Sequence, residues 1–356
     1  NNFCLFNFGI NLEESDIFPS ENDISFQLSK TMRYYNPFDE YDIQEERLTE
    51  LFRDALVVSN NEVIDYSLYD LFIVFHAGIG QDFSLPFLDP TPEDIPSTFV
   101  DNQMIQDNLN ISSIIINGNH ISQGIILPET QNHLLFDISE SIFSDAADPC
   151  EYQYGLTGTF ALMVGFAIGL PPLWDISTGE SRIGVFGLMD QGSNNARGII
   201  PAPLTAWSRI FSGWEEPLEA GIGDAIALPI RGEGNLVKIN IRDDEYYLIE
   251  NRSNNIRNGI SIDSLRYFMS QTSGPSAYPS YIEILLDSTG IERDTNGVVV
   301  YVPNYDIGLP ASGLLIWHID DNVISNSIDN YSFNTDISYM GIDLEEADGA
   351  QDIGYP

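Results

Sequence analysis

Apolar residues recur at helical spacing over 42–58 (Ile43, Leu48, Leu51, Phe52, Ala55, Leu56) with charged residues on the opposite face, which predicts an amphipathic surface helix. A short continuous apolar run at 71–75 has the pattern of a fully buried central strand. Residues 2–11 alternate enough to predict a first strand, and 111–116 and 124–127 also read as strands. Between them, 82–110 is rich in Pro, Asp and Ser and predicts a long irregular loop. A polar loop over 145–154 leads into an apolar helix at 158–169. Beyond Trp214 the pattern changes to short β runs at 225–229, 236–241, 246–250, 281–286, 298–302 and 313–318, separated by turns of Gly, Asn and Asp. The chain shows no fixed-period repeat, low-complexity tract or flexible linker. These runs predict an α+β architecture, with an α+β domain over 1–214 and a β-rich subdomain over 215–356.

Composition sharpens this picture mainly through charge. The chain has 356 residues and 43% hydrophobic content, enough for a sizeable core. It carries 54 acidic residues against 14 basic ones, a formal net charge of −40, and its only lysines are Lys30 and Lys238. Such a charge repels nucleic acid and anionic membranes, and favours divalent cations, basic partners or a screening medium. A high-salt habitat also suits the charge, although the many Ile and Asn residues fit it less well. No apolar run approaches the length of a transmembrane helix, so no membrane insertion is expected.

Hard cations take clustered carboxylates and carbonyls on loops, which makes calcium the candidate metal. The candidate ligands are Asp343, Glu346, Asp348 and Asp352, then Asp294 and Asn296 in a turn, and Asp145 and Asp148 before the apolar helix. The alternative, that each group is a solvated acidic turn, stays open. Four histidines, His76, His120, His133 and His318, share no helix-turn spacing and read better as structural residues than as ligands. No Gly-x-Ser-x-Gly elbow occurs, and no single carboxylate pair stands out.

The stretch Phe160-Ala161-Leu162-Met163-Val164-Gly165-Phe166-Ala167-Ile168-Gly169-Leu170-Pro171-Pro172-Leu173-Trp174-Asp175 carries a resemblance. It is similar to the Phe-Ala-His-Glu-Phe-Gly-His-x-Leu-Gly-Leu-Pro-Asp-Leu-Tyr-Asp run of the immune-inhibitor-A type of secreted, metzincin-like metallopeptidases. Phe160, Ala161, Gly165, Gly169, Leu170, Pro171, Leu173 and Asp175 match it, and Trp174 replaces the Tyr by another aromatic. Gly187-Leu188-Met189-Asp190-Gln191-Gly192-Ser193 looks like the family's Met-turn, and 203–214 resembles the segment after it. Upstream, 69–81 looks like the family's buried strand and turn, and 313–321 and 341–352 are similar to its closing motifs. The resemblance spans 65–356, with only a loose match in the first 60 residues.

The departures fall where the chemistry would sit. The resemblance puts the first zinc ligand at Leu162, the general base at Met163, the second ligand at Phe166 and the third ligand at Pro172. None of these can bind zinc or move a proton, whereas a catalytic zinc needs three protein ligands, an open water position and a carboxylate base. One lost ligand can be replaced from elsewhere; all three and the base cannot. The resemblance therefore implies a metzincin-like domain without zinc: an extracellular or cell-surface pseudopeptidase that binds or scaffolds a protein partner. Self-assembly as a structural subunit of an extracellular filament, sheath or surface layer is the alternative, and an active hydrolase with a relocated metal site is a third. In a secreted protein Cys4 and Cys150 are expected either to form one disulfide or to remain as two buried thiols. The start without Met or an apolar leader fits a processed product, and the end after the closing motif leaves room for further domains.

Overall fold

The computed structural model describes residues 4, 8–13, 15–20, 24–60, 62, 64–83, 89, 91–131, 154–230, 234–257, 260–261, 264–265, 267–268, 271, 290–295, 298–351 and 353. The fold is α+β, with several small sheets and short helices, and the chain divides into two compact units. One holds residues 12–169; the other combines 1–11 with 170–356. The change of sequence pattern at 214/215 lies inside the second unit. Residues 170–214 belong there because Asn334 donates to the Leu173 carbonyl and Arg209 pairs with Glu250.

The 12–169 unit begins with a short helix, α1 (Met32–Tyr35), and the amphipathic α2 (Gln44–Ser59). α2 buries Leu48, Leu51, Phe52 and Leu56, the face its spacing predicts. Next come β1 (Ile73–Ile79), β2 (Thr98–Val100), α3 (Asn102–Leu109), β3 (Ile114–Ile116), β4 (Asn119–Ile121), β5 (Gly124–Thr130) and α4 (Thr157–Ala167). β3 and β4 form a hairpin. β1, β5 and β2 form a sheet in that order, β1 parallel and β2 antiparallel to β5. The central strand is therefore β5, buried from Gly124 to Pro128, with Ile125, Ile126 and Leu127 each 0% exposed. The 71–75 run instead leads into the edge strand β1, which is only partly buried along its length. Gly124 is required at the start of β5, since a Cβ there would collide with the Phe52 ring and the Phe72 carbonyl.

The loop expected over 82–110 also holds β2 and α3. α3 is capped by Asp101, whose carboxylate accepts the Met104 amide at 2.8 Å, and it ends at Asn110 in the left-handed conformation.

In the second unit Cys4 and Phe8 are helical and buried, where a strand was expected. The unit continues through α5 (Ala206–Phe211), β6 (Leu218–Glu219), β7 (Leu236–Arg242), β8 (Glu245–Arg252), β9 (Asn255–Arg257), β10 (Ile260–Ser261), β11 (Glu292–Arg293), β12 (Val299–Tyr301), β13 (Gly313–Asp320), α6 (Asp321–Ser327) and β14 (Ile342–Leu344). The main sheet has five strands in the order β14-β13-β8-β7-β6, antiparallel except for the parallel β7–β6 pair. β8 alternates strictly, turning Tyr246, Leu248, Glu250 and Arg252 inward. Residues 225–229, expected as a strand, are mostly exposed and irregular, and the 281–286 run lies outside the described residues.

An ionic network is buried beneath this sheet. Arg209 Nη2 donates to Glu250 Oε2 at 2.9 Å, Arg252 Nη2 to Asp306 Oδ1 at 2.6 Å, and Trp317 Nε1 to Glu250 Oε1 at 2.9 Å. Burial would raise the Glu250 pKa, but the charges of Arg209 and Arg252 and their hydrogen bonds hold it below the ordinary value.

Candidate functional site

α4 carries three of the four positions that the resemblance assigns to chemistry. The helix buries Ala161, Met163, Val164 and Gly165, and packs against β5 and β2. Leu162 and Phe166 lie one turn apart and are half-buried. The Phe166 ring stacks on Phe99 of β2, with centroids 6.1 Å apart and planes inclined by 29°. At the helix end Gln123 Nε2 donates to the Ala167 carbonyl at 3.3 Å, and Gly169 turns the chain at φ +90°. Leu162, Met163 and Phe166 thus present hydrocarbon, thioether and an aromatic ring. Their donor set does not fit zinc, which takes nitrogen, thiolate or carboxylate ligands.

Within the second unit, the fourth position, Pro172, is buried, and the residue after it meets the Met-turn-like segment. The Leu173 amide donates to the Met189 carbonyl at 2.9 Å, and both side chains are 0% exposed. Gly192 fits because a Cβ would strike the Gly187 carbonyl and Ala202. Asp190 fastens the segment by accepting the amides of Arg182 and Ile183 at 2.9 and 2.8 Å. Burial pushes the Asp190 carboxyl above its ordinary value despite those bonds.

A buried pair lies just after the matched run. Arg182 Nη2 donates to Asp175 Oδ2 at 2.9 Å, while its Nε donates to the Asn334 carbonyl at 3.0 Å. Burial raises the Asp175 pKa. The hydroxyl and amide of Ser177, the Thr178 hydroxyl and the Arg182 charge outweigh it and bring the value down to about 2. The sequence reading missed this pair, although an arginine is conspicuous in a chain with 14 basic residues.

The proposed calcium ligands are only partly brought together. Asp343 and Glu346 line one shallow cleft, open to solvent, with Ser181, Arg182 and Gln351. Gln351 Nε2 donates to Asp343 Oδ2 at 3.0 Å, and Glu346 Oε1 accepts the Ile353 amide at 3.1 Å. Burial and the neighbouring Glu345 raise the Asp343 pKa. Asp348 accepts the Ala350 amide at 3.1 Å, as in a local turn, and Asp352 lies outside the described residues. Asp294 likewise accepts the Val298 amide at 2.9 Å. Asn296, Asp145 and Asp148 lie outside the described residues. Among the described residues, no group of three His, Cys, Asp or Glu side chains is placed to hold a metal.

His76 faces the carbonyls of Ala77 and Ile95, His120 bonds Ser113 Oγ, and His318 Nε2 lies 2.7 Å from Glu245 Oε1. His133 is outside the described residues. Cys4 is buried, which pushes its thiol up to about 11; Cys150, its expected partner, is outside the described residues. Among the described residues, no helix is long and apolar enough to cross a membrane.

Compared with known proteins, the chain matches no family model, no curated protein and no solved structure.

Proposed function

We propose that the protein is a catalytically inactive, metzincin-like domain that acts outside the cell or at its surface by binding or scaffolding a protein partner. The observation that carries this reading is the apolar character of Leu162, Met163, Phe166 and Pro172, with Phe166 packed on Phe99. The Leu173–Met189 hydrogen bond supports the comparison further, because it sets the Met-turn-like segment against the chain beside Pro172. A buried apolar helix costs less than buried carboxylates and imidazoles without a metal, so a lost site tends towards this filling. Zinc measured in purified, dialysed protein tests the reading: the expected content is far below one equivalent, and a near-stoichiometric content would return the enzyme to first place.

Assembly into an extracellular filament, sheath or layer is the second reading. It is favoured by the exposed apolar side chains Phe211, Trp214, Leu218, Ile222, Ile226 and Ile230 along 211–230. Calcium bridging would offset the repulsion between subunits of charge −40. Polymers in electron micrographs that dissolve on chelation would support assembly, whereas a monodisperse monomer in calcium at high protein concentration counts against it.

A further inference from the structure

The chain contains three Asn-x-Ser triplets, Asn110-Ile111-Ser112, Asn251-Arg252-Ser253 and Asn330-Tyr331-Ser332, none with proline in the middle. This is the acceptor pattern for N-linked glycans, and it marks a modified residue where the asparagine lies on a surface loop of an exported protein. In a chain with many Asn and Ser residues such triplets also arise by chance, so their placement decides between them.

Asn330 lies in the turn after α6, exposed together with Tyr331, whose left-handed backbone (φ +55°) redirects the chain. Asn330 Oδ1 accepts the Ser332 amide at 3.2 Å and the Ser332 hydroxyl at 2.7 Å, an Asx turn closed by the serine of the triplet itself. Both bonds fall on the carbonyl oxygen. Nδ2, the atom that carries the sugar in such a modification, donates no hydrogen bond among the described residues. The bonds to the oxygen also polarise the amide, which eases loss of an Nδ2 proton.

Asn110 closes α3 in the left-handed conformation, and Ile111 and Ser112 are exposed with it. Its backbone amide donates to the Gln106 carbonyl at 3.0 Å, while its side chain makes no hydrogen bond among the described residues.

Asn251 is the contrast. It is half-buried on β8, opposite Leu314 of β13, and its Nδ2 donates to the Leu228 carbonyl at 3.0 Å. Ser253 is 6% exposed, and its hydroxyl accepts the Asn255 amide at 3.3 Å. A bulky sugar on Asn251 Nδ2 would displace the Leu228 carbonyl.

We propose that Asn330 and Asn110 accept N-linked glycans when the chain is exported, and that Asn251 does not. The donor is an oligosaccharide held on a lipid diphosphate. Nδ2 bonds to its anomeric carbon, and the bond from that carbon to the phosphate oxygen breaks. The lipid diphosphate leaves with the electron pair, and Nδ2 gives up one proton. Glycans at these positions hold the turn after α6 and the end of α3 out of any contact, so a protein partner binds elsewhere. The proposal rests on the extracellular reading, since the acceptor pattern acts in exported chains.

Expression of the full chain behind a secretion leader in a glycosylating eukaryotic cell line tests it. Glycans are released enzymatically in heavy-oxygen water, and mass spectrometry locates the asparagines converted to labelled aspartate. The expected result is label at positions 330 and 110 on most molecules and none at 251. Asn330→Gln and Ser332→Ala each remove one glycan, Asn110→Gln and Ser112→Ala remove the other, and Ser332→Thr and Ser112→Thr keep theirs. Absence of label at 330 or at 110 overturns the proposal, and so does label at 251 in the folded, secreted chain. The leader supplies export, so a negative result falls on the sites. The extracellular reading fails separately, if the chain is found inside the cells of its own source.

Discussion

The backbone amide of Leu173 donates to the carbonyl of Met189 at 2.9 Å, and neither side chain reaches solvent. This bond, between residues 16 apart, joins the end of the apolar run to the Met-turn-like segment, two blocks of the sequence resemblance.

Met189→Ala should therefore behave as a core truncation. Removing a fully buried thioether side chain costs about 2–5 kcal/mol through lost burial and the cavity left behind. Urea unfolding of the variant against the parent checks this; a loss under about 1 kcal/mol would mean the segment repacks freely.

Acid should loosen the Asp175–Arg182 pair. The folded-state pKa of Asp175, about 2, lies below the ordinary aspartate value of about 3.9, so its contribution is fully present above about pH 4 and is lost as the pH falls towards 2. Asp175→Asn should flatten the stability-against-pH curve over that window. At neutral pH it should cost roughly 2–3 kcal/mol, since Arg182 loses a buried partner but keeps Glu180 and three carbonyls.

The buried network under the five-stranded sheet should be far less tolerant on its carboxylate than on its tryptophan. Glu250→Leu leaves two arginines short of a partner and should cost about 3–5 kcal/mol. Trp317→Phe removes one hydrogen bond and part of a ring, for about 1–3 kcal/mol. Thermal denaturation of both variants ranks them, and equal losses would show that the ring's packing rather than the charge network dominates.

Leu162 and Phe166 keep the spacing of a two-histidine zinc site. Leu162→His/Phe166→His should hold zinc through dialysis where the parent does not, because two imidazoles one helical turn apart share a face. Elemental analysis of the pair decides it.

Elements with strong periodicity were legible in the sequence. α2 is fixed by Leu48, Leu51, Phe52 and Leu56 on one face. β7, β8 and β13 follow short runs that are bounded by turn residues. α3 was hidden because only Ile105 of its eight residues is buried, and the prolines before it read as loop, although Asp101 is a legible cap. The central place went to β1 rather than β5 because an apolar run at 71–75 shows hydrophobicity but not which neighbours pair with it. The apolar 225–229 run has strand composition and yet stays irregular, for composition alone does not supply a pairing partner.

The candidate site was legible only as a set of substitutions. Leu162, Met163, Phe166 and Pro172 announce missing chemistry one residue at a time, whereas the Asp175–Arg182 pair appears only once the segment over 175–182 is folded back on itself.

Degradation of an unfolded protein substrate by the zinc-supplemented chain, with and without a chelator, tests the central claim most directly. The pseudopeptidase account predicts no chelator-sensitive cleavage above buffer. Zinc-dependent cleavage that survives Leu162→Ala and Phe166→Ala would contradict it and place a working site elsewhere in the chain.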